Sequence, residues 1–151
     1  MTDTITDFTA AMTSGRTFQL SGRPAKATVL FFYPKDNTPG CTTENMAFRD
    51  LHEQFTAAGA EIYGISRDSL RSHENFKEKL GLPFELISDP DEAVCAAFSV
   101  MKMKKMYGKD VRGIERSTFV IDADGRLVKE WRGVKVPGHV DEVLEFVANL
   151  G

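Results

Sequence analysis

Continuous apolar and β-branched runs are the clearest pattern along this chain. Runs of this kind predict five β-strands, at 27–33, 60–65, 84–87, 117–121 and 126–131. Pro34 ends the first strand, and turn residues at 122–125 join the last two strands as a hairpin. Most other apolar positions recur at spacings of three and four residues, which is the period of an amphipathic helix.

That second period predicts four helices. Their apolar faces are Phe48, Leu51, Phe55 and Ala58 in the first, Leu70, His73, Phe76 and Leu80 in the second, Val94, Ala97 and Phe98 in the third, and Val140, Val143, Leu144, Val147 and Leu150 in the last. We expect Ser69 to cap the second helix and Gly81 to end it. We expect Asp89 to cap the third helix, with Pro90 at its first position.

Strands that alternate with helices and end in a hairpin and a closing helix indicate the fold class. They predict an α/β fold, a thioredoxin-like three-layer sandwich with a central mixed β-sheet flanked by helices. Because the chain has no repeat or linker, we expect one domain over residues 1–151. The pattern before Thr17 is too weak to predict an element. The basic run from Met101 to Gly113 is interpreted as a mobile, solvated loop, with a nucleic-acid patch as the less favoured alternative.

Composition and charge narrow the function classes. A chain of 151 residues with 42% hydrophobic residues can bury a core of its own. A net charge of −3 gives no general attraction to nucleic acid or anionic membranes, so neither is expected as a partner. The start MTDTITDF lacks the basic and apolar regions of a signal peptide, and we expect a cytoplasmic protein.

The two cysteines, Cys41 and Cys95, lack the CxxC spacing of zinc sites or thioredoxin centres. Cys41 stands where a predicted buried strand gives way to a helix, and free N–H groups and the helix dipole there favour a thiolate. Thr38 can direct its hydroxyl to the sulfur or to a substrate oxygen, while Pro34 and Pro39 stiffen the approach. On position alone, a cysteine that only packs is an equally good interpretation.

The segment PKDNTPGCTTE resembles the active-site loop of the peroxiredoxins, in which Pro34, Thr38 and Cys41 occupy the family's positions. The resemblance continues through FFYP, GISRDS, ISDPDE, KKMYGK, GIERSTFVIDADG and KVPGH. The chain is therefore identified as a member of the peroxiredoxin Q subfamily, also called bacterioferritin comigratory proteins. This resemblance implies a thiol peroxidase that reduces hydrogen peroxide and organic hydroperoxides, with Cys41 as the peroxidatic cysteine.

The resemblance also implies the supporting residues. Arg116 would hold the thiolate and orient the peroxide, and Glu44 would orient Arg116, although a first-turn glutamate favoured by the helix dipole is nearly as good an interpretation. Backbone N–H groups near Gly40 and Cys41 would bind peroxide oxygens, and Pro34 would shape the loop. The Cys41 sulfur becomes a sulfenic acid, so no cofactor and no metal is expected.

The sequence departs from its relatives at the resolving cysteine. Met46 and Lys77 stand at the two positions where relatives place it. Cys95 is expected to pack in the core, with a disulfide to Cys41 as the alternative. The resemblance then implies a one-cysteine mechanism in a monomer, with thioredoxin or glutathione and glutaredoxin as the outside reductant.

Two other function classes compete with a peroxidase. A thioredoxin-type disulfide oxidoreductase would need the second cysteine of CxxC, which this chain lacks. A non-catalytic binding or chaperone module on the same scaffold would be favoured by the loss of Thr38 or Arg116. Both residues are present, and the peroxidase is the favoured hypothesis.

Overall fold

The computed structural model describes residues 3–21 and 25–150. Within these ranges the strands are β1 (Asp3–Thr4), β2 (Thr9–Met12), β3 (Arg16–Gln19), β4 (Ala27–Phe32), β5 (Ala60–Ser66), β6 (Glu85–Ser88), β7 (Met101–Met106), β8 (Lys109–Ile114), β9 (Ser117–Asp122) and β10 (Arg126–Arg132). The helices are α1 (Pro39–Asp50), α2 (His52–Ala57), α3 (Leu70–Leu80), α4 (Ala93–Ala97) and α5 (His139–Ala148).

Eight strands form one mixed sheet in the order β1-β10-β9-β4-β5-β6-β2-β3. The pairs β4–β5 and β5–β6 are parallel, and the remaining pairs of this sheet are antiparallel. Helical crossovers join the parallel strands, as parallel pairing requires. The prediction of an α/β fold with a central mixed sheet flanked by helices is confirmed.

The central strand β4 divides the core into two clusters. All six of its residues are buried, and its side chains alternate between the two faces of the sheet. Val29 and Phe31 join a cluster that α1, α2, α3 and α5 cover. Leu30 and Phe32 join the opposite cluster, to which the short helix α4 and strand β3 contribute. A strand buried on both faces has the continuous apolar run seen in the sequence.

Helix α3 begins and ends where its sequence predicts. The Ser69 hydroxyl accepts a hydrogen bond from the Ser72 N–H, and Gly81 ends the helix in the left-handed conformation with φ 64°. His73 and Phe76 are fully buried on the inner face. The prediction is wrong for Leu70, which is 40% exposed, because the first turn projects beyond the edge of the core.

Two helix predictions need correction. The face predicted for the first helix is divided between α1 and α2, because Leu51 has φ −103° and ψ 7° and interrupts the helix. The third helix starts at Ala93 rather than at Pro90, with Glu92 as its N-cap. Asp89 instead reaches forward, and its carboxylate accepts the N–H groups of Val94 and Cys95. In this shorter helix Ala97 is exposed, not buried as predicted.

The basic run from Met101 to Gly113 is also not the predicted loop. Strands β7 and β8 pair over six positions as a separate antiparallel hairpin, whose turn has φ 54° at Tyr107 and φ 77° at Gly108. The segment before Thr17, for which the sequence predicts no element, forms β1, β2 and the start of β3. These strands extend the main sheet on both sides. In the part of the chain that the structure describes, no helix has the length and apolar character to cross a membrane.

Candidate active site

The register of the sheet brings two segments that are distant in sequence together at one end of two neighbouring strands. Strand β4 ends at Phe32, which pairs with Ser117 at the start of the antiparallel strand β9. The loop after β4 leads into α1 and Cys41, whereas Arg116 directly precedes β9. Both segments therefore lie at the same end of neighbouring strands. The Arg116 carbonyl accepts the Val134 N–H at 2.9 Å, which fixes the backbone of this arginine.

Cys41 is buried within the first turn of α1, with none of its surface exposed. The Arg116 Nη2 lies 3.5 Å from the Cys41 Sγ, and the Arg116 Nη1 donates to the Glu44 Oε1 at 2.6 Å. Glu44 is three residues after Cys41, so both side chains share one side of α1. The guanidinium thus bridges the sulfur and the carboxylate, while the roles that the resemblance implies for Arg116 and Glu44 stay predictions.

Burial and charge act in opposition on this ion pair. Burial lowers the pKa of Arg116, but the negative charge of Glu44 and the Cys41 sulfur outweigh it, and the net shift is upward. Burial raises the pKa of Glu44 to about 7, against the opposing effect of Arg116. The Glu44 Oε2 is buried with no hydrogen-bond partner among the described residues, which also disfavours the ionised carboxyl.

Gly40 allows the guanidinium to approach the helix start. A Cβ at this position would lie 3.1 Å from the Arg116 Nη2, closer than an ordinary van der Waals contact. The N–H groups of Gly40 and Cys41 precede the first intrahelical bond, which the Thr42 N–H makes to the Thr38 carbonyl at 2.8 Å. These two N–H groups point out of the helix start beside the sulfur.

Thr38 lies at the N-cap of α1, but its hydroxyl does not contact the sulfur. It donates to the Lys35 carbonyl at 2.8 Å, so of the two predicted uses of this hydroxyl only contact with a substrate oxygen remains open. Pro34 is half-buried at the start of the loop.

A buried polar network beneath the loop was missed by sequence reasoning. The Asp36 Oδ1 accepts the Tyr33 hydroxyl at 2.6 Å, and its Oδ2 accepts the Ser72 hydroxyl at 2.8 Å and lies 2.8 Å from the His73 Nδ1. The Asp36 N–H also donates to Asp68. The network fastens the active-site loop to α3. Asp36 and His73 are 37 positions apart, and no local spacing marks the pair.

These side chains also form the one group of potential metal ligands found in the part of the chain the structure describes. Ligand atoms of Asp36, Asp68 and His73 lie within 4.8 Å of one another. Each already bonds to protein: the Asp68 carboxylate accepts the Ser66 hydroxyl, and the His73 Nε2 lies 3.0 Å from the Ile87 carbonyl. The geometry is that of a satisfied structural network.

Cys95 belongs to the opposite face of the sheet. It is fully buried in the cluster that contains Leu30 and Phe32, whereas Cys41 lies in the cluster that contains Val29 and Phe31. The sheet therefore separates the two sulfurs. The structure does not bring Cys95 to the site with the other candidate residues.

A shallow groove runs from the start of α1 toward the loop before α5. Its volume is about 580 Å³. Its lining residues are Pro39, Gly40, Thr43, Ala47, Val136, Pro137 and Gly138. Most of these side chains are apolar or small, so the groove offers an apolar surface beside the Arg116 guanidinium.

Comparison with known proteins places the chain in a family. Residues 1–130 match the model of the AhpC/TSA family. Peroxiredoxin Bcp of Xanthomonas campestris is 50% identical, covering 95% of this chain and 94% of its own length. Peroxiredoxin Bcp of Bacillus subtilis is 53% identical, covering 90% of this chain and 87% of its own.

A solved structure gives the same result in three dimensions. The bacterioferritin comigratory protein of Xanthomonas campestris, studied for its alkyl peroxide reduction activity, superposes with a TM-score of 0.87 at 47% identity. The match covers 95% of this chain and 92% of that one. The sheet, the helix start at Cys41 and the sequence similarity agree, and the chain belongs to the AhpC/TSA family as a peroxiredoxin of the Bcp/Q type, a thiol-dependent peroxidase.

Proposed function

We propose that this peroxiredoxin reduces hydrogen peroxide and organic hydroperoxides through a sulfenic acid on Cys41, which an external thiol then reduces. The observation that carries the proposal is the contact between the Cys41 Sγ and the Arg116 guanidinium, itself held by Glu44. A positive charge next to a sulfur at a helix start stabilises the thiolate, the reactive form of cysteine.

The proposed first step is a displacement at oxygen. The Cys41 thiolate attacks one peroxide oxygen, an S–O bond forms and the O–O bond breaks. The other oxygen leaves with the bonding electron pair and takes a proton, so that water or an alcohol departs. Arg116 donates hydrogen bonds while negative charge develops on the two oxygens, which lowers the barrier.

Three further residues surround the position of the peroxide. The N–H groups of Gly40 and Cys41 at the helix start donate to peroxide oxygens as they would to an anion. The Thr38 hydroxyl gives its own proton to Lys35, so its oxygen accepts the proton of a hydroperoxide. Pro34 limits the movement of the loop because its ring fixes one backbone dihedral.

The groove beside α1 supports organic hydroperoxides as substrates. It begins at Gly40 and Pro39, close to the proposed peroxide position, and continues along Ala47 and Val136. An alkyl group laid in this groove loses contact with water, which is favourable by about 25 cal/mol per Å². The related Xanthomonas campestris protein is described for alkyl peroxide reduction, which agrees with this choice of substrate.

The one-cysteine mechanism rests on the separation of the two sulfurs. Cys95 packs on the other side of the sheet, so a Cys41–Cys95 disulfide would require both elements to leave their core clusters. Cα atoms farther apart than about 7 Å cannot be bridged without backbone movement. An outside thiol therefore reduces the sulfenic acid, and thioredoxin or glutathione with glutaredoxin supplies it.

Intact mass spectrometry tests the proposal directly. The reduced protein is mixed with equimolar hydrogen peroxide in the absence of added thiol, beside Cys41→Ser and Cys95→Ser variants. We expect the wild type and Cys95→Ser to gain one or more oxygens, and Cys41→Ser to gain none.

Other masses would distinguish the alternatives. A loss of two hydrogens, abolished in either variant, would establish a Cys41–Cys95 disulfide and overturn the one-cysteine mechanism. An unchanged mass in the wild type would instead favour a non-catalytic module on the same scaffold.

The proposal also covers the setting of the enzyme. Residues 1–151 act as one domain, supported by core clusters that join residues from Met12 to Val147. We infer a cytoplasmic monomer, which sedimentation of the purified chain and fractionation of cells would test.

A further inference from the structure

The basic hairpin, residues 101–114, is a feature that the peroxidase site does not explain. It forms a two-stranded sheet separate from the eight-stranded one. Its apolar side chains are unusually exposed, with Tyr107 at 98%, Met103 at 63% and Val111 at 41%. Exposed apolar side chains clustered on one element typically mark an interaction surface.

The hairpin also concentrates positive charge in an acidic protein. It contains five basic side chains and one aspartate, a net charge of +4, whereas the whole chain carries −3. Lys102, Lys104 and Lys109 share one face with Val111, because cross-strand neighbours point to the same side. Among the described residues, no ion pair involves Lys102 or Lys109, so both charges are available to a partner.

The hairpin stands at the same sheet edge as Cys41. Its base is closed by the Glu115 N–H, which donates to the Val100 carbonyl at 2.7 Å, and the next residue is Arg116. An ion pair joins Arg112 to Glu92, which also binds Arg67 at the carboxyl end of β5. Because β4 and β5 are parallel, their carboxyl ends meet at this edge.

We propose that the basic hairpin docks an acidic dithiol protein, the reductant that the one-cysteine mechanism requires. The inference rests on the proposed function and adds the surface on which the reductant binds. The lysines steer an acidic surface toward the active-site edge, while the acidic remainder of the chain repels it elsewhere. Tyr107 at the turn and Val111 beside the lysines then supply apolar contact, a role in which tyrosine is enriched.

The docked reductant completes the cycle in two balanced steps. One partner thiolate attacks the sulfur of the Cys41 sulfenic acid, and the hydroxyl leaves as water after taking a proton. The partner's second thiolate then attacks the partner's first sulfur in this mixed disulfide. Cys41 departs as a thiolate, and the partner leaves as an internal disulfide.

Charge reversal on the hairpin tests the docking surface. Lys102→Glu and Lys109→Glu are combined in one variant. The matched control combines Lys26→Glu and Arg126→Glu, two exposed residues at the opposite edge of the sheet, with the same change in net charge. Peroxide turnover is followed with a net-acidic thioredoxin, its reductase and NADPH, and separately with dithiothreitol.

We expect the hairpin variant to raise the KM for thioredoxin by about tenfold, and the control by less than about twofold. Turnover with dithiothreitol stays within about twofold in both, since a small thiol needs no docking. Added salt raises the wild-type KM for thioredoxin, because it screens the attraction.

Two outcomes would overturn the docking proposal. One is an equal effect of the hairpin and control variants on the KM for thioredoxin. The other is hairpin-dependent binding of a single-stranded oligonucleotide with no change in that KM, which would assign the hairpin to nucleic acid. Absence of wild-type turnover with dithiothreitol would refute the proposed function itself, so the two failures are distinguishable.

Discussion

Cys41 and Cys95 are both fully buried in one molecule, yet they lie in opposite electrostatic surroundings. Cys41 faces the Arg116 guanidinium at 3.5 Å at the start of α1. Cys95 lies beside Asp89, whose carboxylate accepts the Cys95 N–H at 2.7 Å. Burial raises the pKa of Cys95 far above its usual range, and the hydrogen bond to Asp89 and its negative charge raise it further.

The contrast shows that two equally buried cysteines can meet opposite charges. Both sulfurs lose water, but only Cys41 gains a positive charge and the free N–H groups of a helix start. The nearest charged side chain is the cation Arg116 for Cys41 and the anion Asp89 for Cys95. Four changes would break or sharpen this comparison.

The largest effect is expected from replacing each cysteine in turn with serine. Cys41→Ser removes the proposed nucleophile, and the second-order rate constant with hydrogen peroxide should fall by at least about a thousandfold. Cys95→Ser should change that rate by less than about twofold while lowering thermal stability, because it places a hydroxyl in an apolar cluster. Stopped-flow rates and thermal melts measure the two. A comparable loss of rate in both variants would remove the contrast.

Replacing the neighbouring arginine should have the next largest effect. Arg116→Lys keeps the charge but loses the planar fork that reaches the Cys41 sulfur and Glu44 together, and we expect about a hundredfold loss in kcat/KM for peroxide. Arg132→Lys is the control, because Arg132 donates to the Phe98 and Ser99 carbonyls near the other cysteine. That control should change stability rather than rate; a rate loss matching that of Arg116→Lys would argue against a specific role for Arg116.

Protonation of Glu44 should make the peroxide reaction at Cys41 depend on pH. The folded-state pKa of Glu44 is raised to about 7. The negative charge that pairs with Arg116 is therefore lost as pH falls through 7. We expect kcat/KM for peroxide to fall in that range for the wild type. Glu44→Gln should be slower at pH 8 by about tenfold, with a flatter profile.

Folding stability should follow the opposite trend. The folded state keeps the Glu44 proton to a higher pH than the unfolded chain, so this residue contributes less stability as pH rises from 4.5 to 7. Denaturant unfolding of the wild type and Glu44→Gln across this range measures the difference. Parallel stability curves would show that the shift is absent.

The smallest effect is expected next to Cys95. Asp89→Asn removes the negative charge beside Cys95, which should lower the pKa of this thiol toward its usual range without exposing it. In a Cys41→Ser background, alkylation of Cys95 by iodoacetamide should rise by less than about tenfold, because burial still limits access. Asp89→Glu keeps the charge and should leave the rate unchanged; equal rates in both variants would show that this charge has no part in suppressing Cys95.

The sequence predicts an element correctly where the local pattern of residues reflects directly how that element packs in the fold. The strand at β4 was predicted because burial on both faces demands a continuous apolar run. Helix α3 was predicted with both ends because Ser69 and Gly81 act within one turn of their own backbone. Sequence reasoning failed at Asp89, whose side chain passes over Pro90 to cap a later turn.

The basic hairpin was missed for a different reason. Its strands are rich in lysine and lack an apolar face, and a tyrosine holds the left-handed position usually taken by glycine or asparagine. In the structure the two strands pair with each other, and Arg112 forms an ion pair with Glu92.

By itself, the sequence determined the position of the proposed nucleophile. The end of a buried strand, a turn rich in proline and glycine and the start of a helix are encoded within one short segment around Cys41. Only the tertiary structure decided which charge the Cys41 sulfur meets. Arg116 is 75 residues from Cys41, and the antiparallel pairing of β4 with β9 makes them neighbours. Contacts between segments so far apart depend on the register of the sheet, which no local spacing reveals.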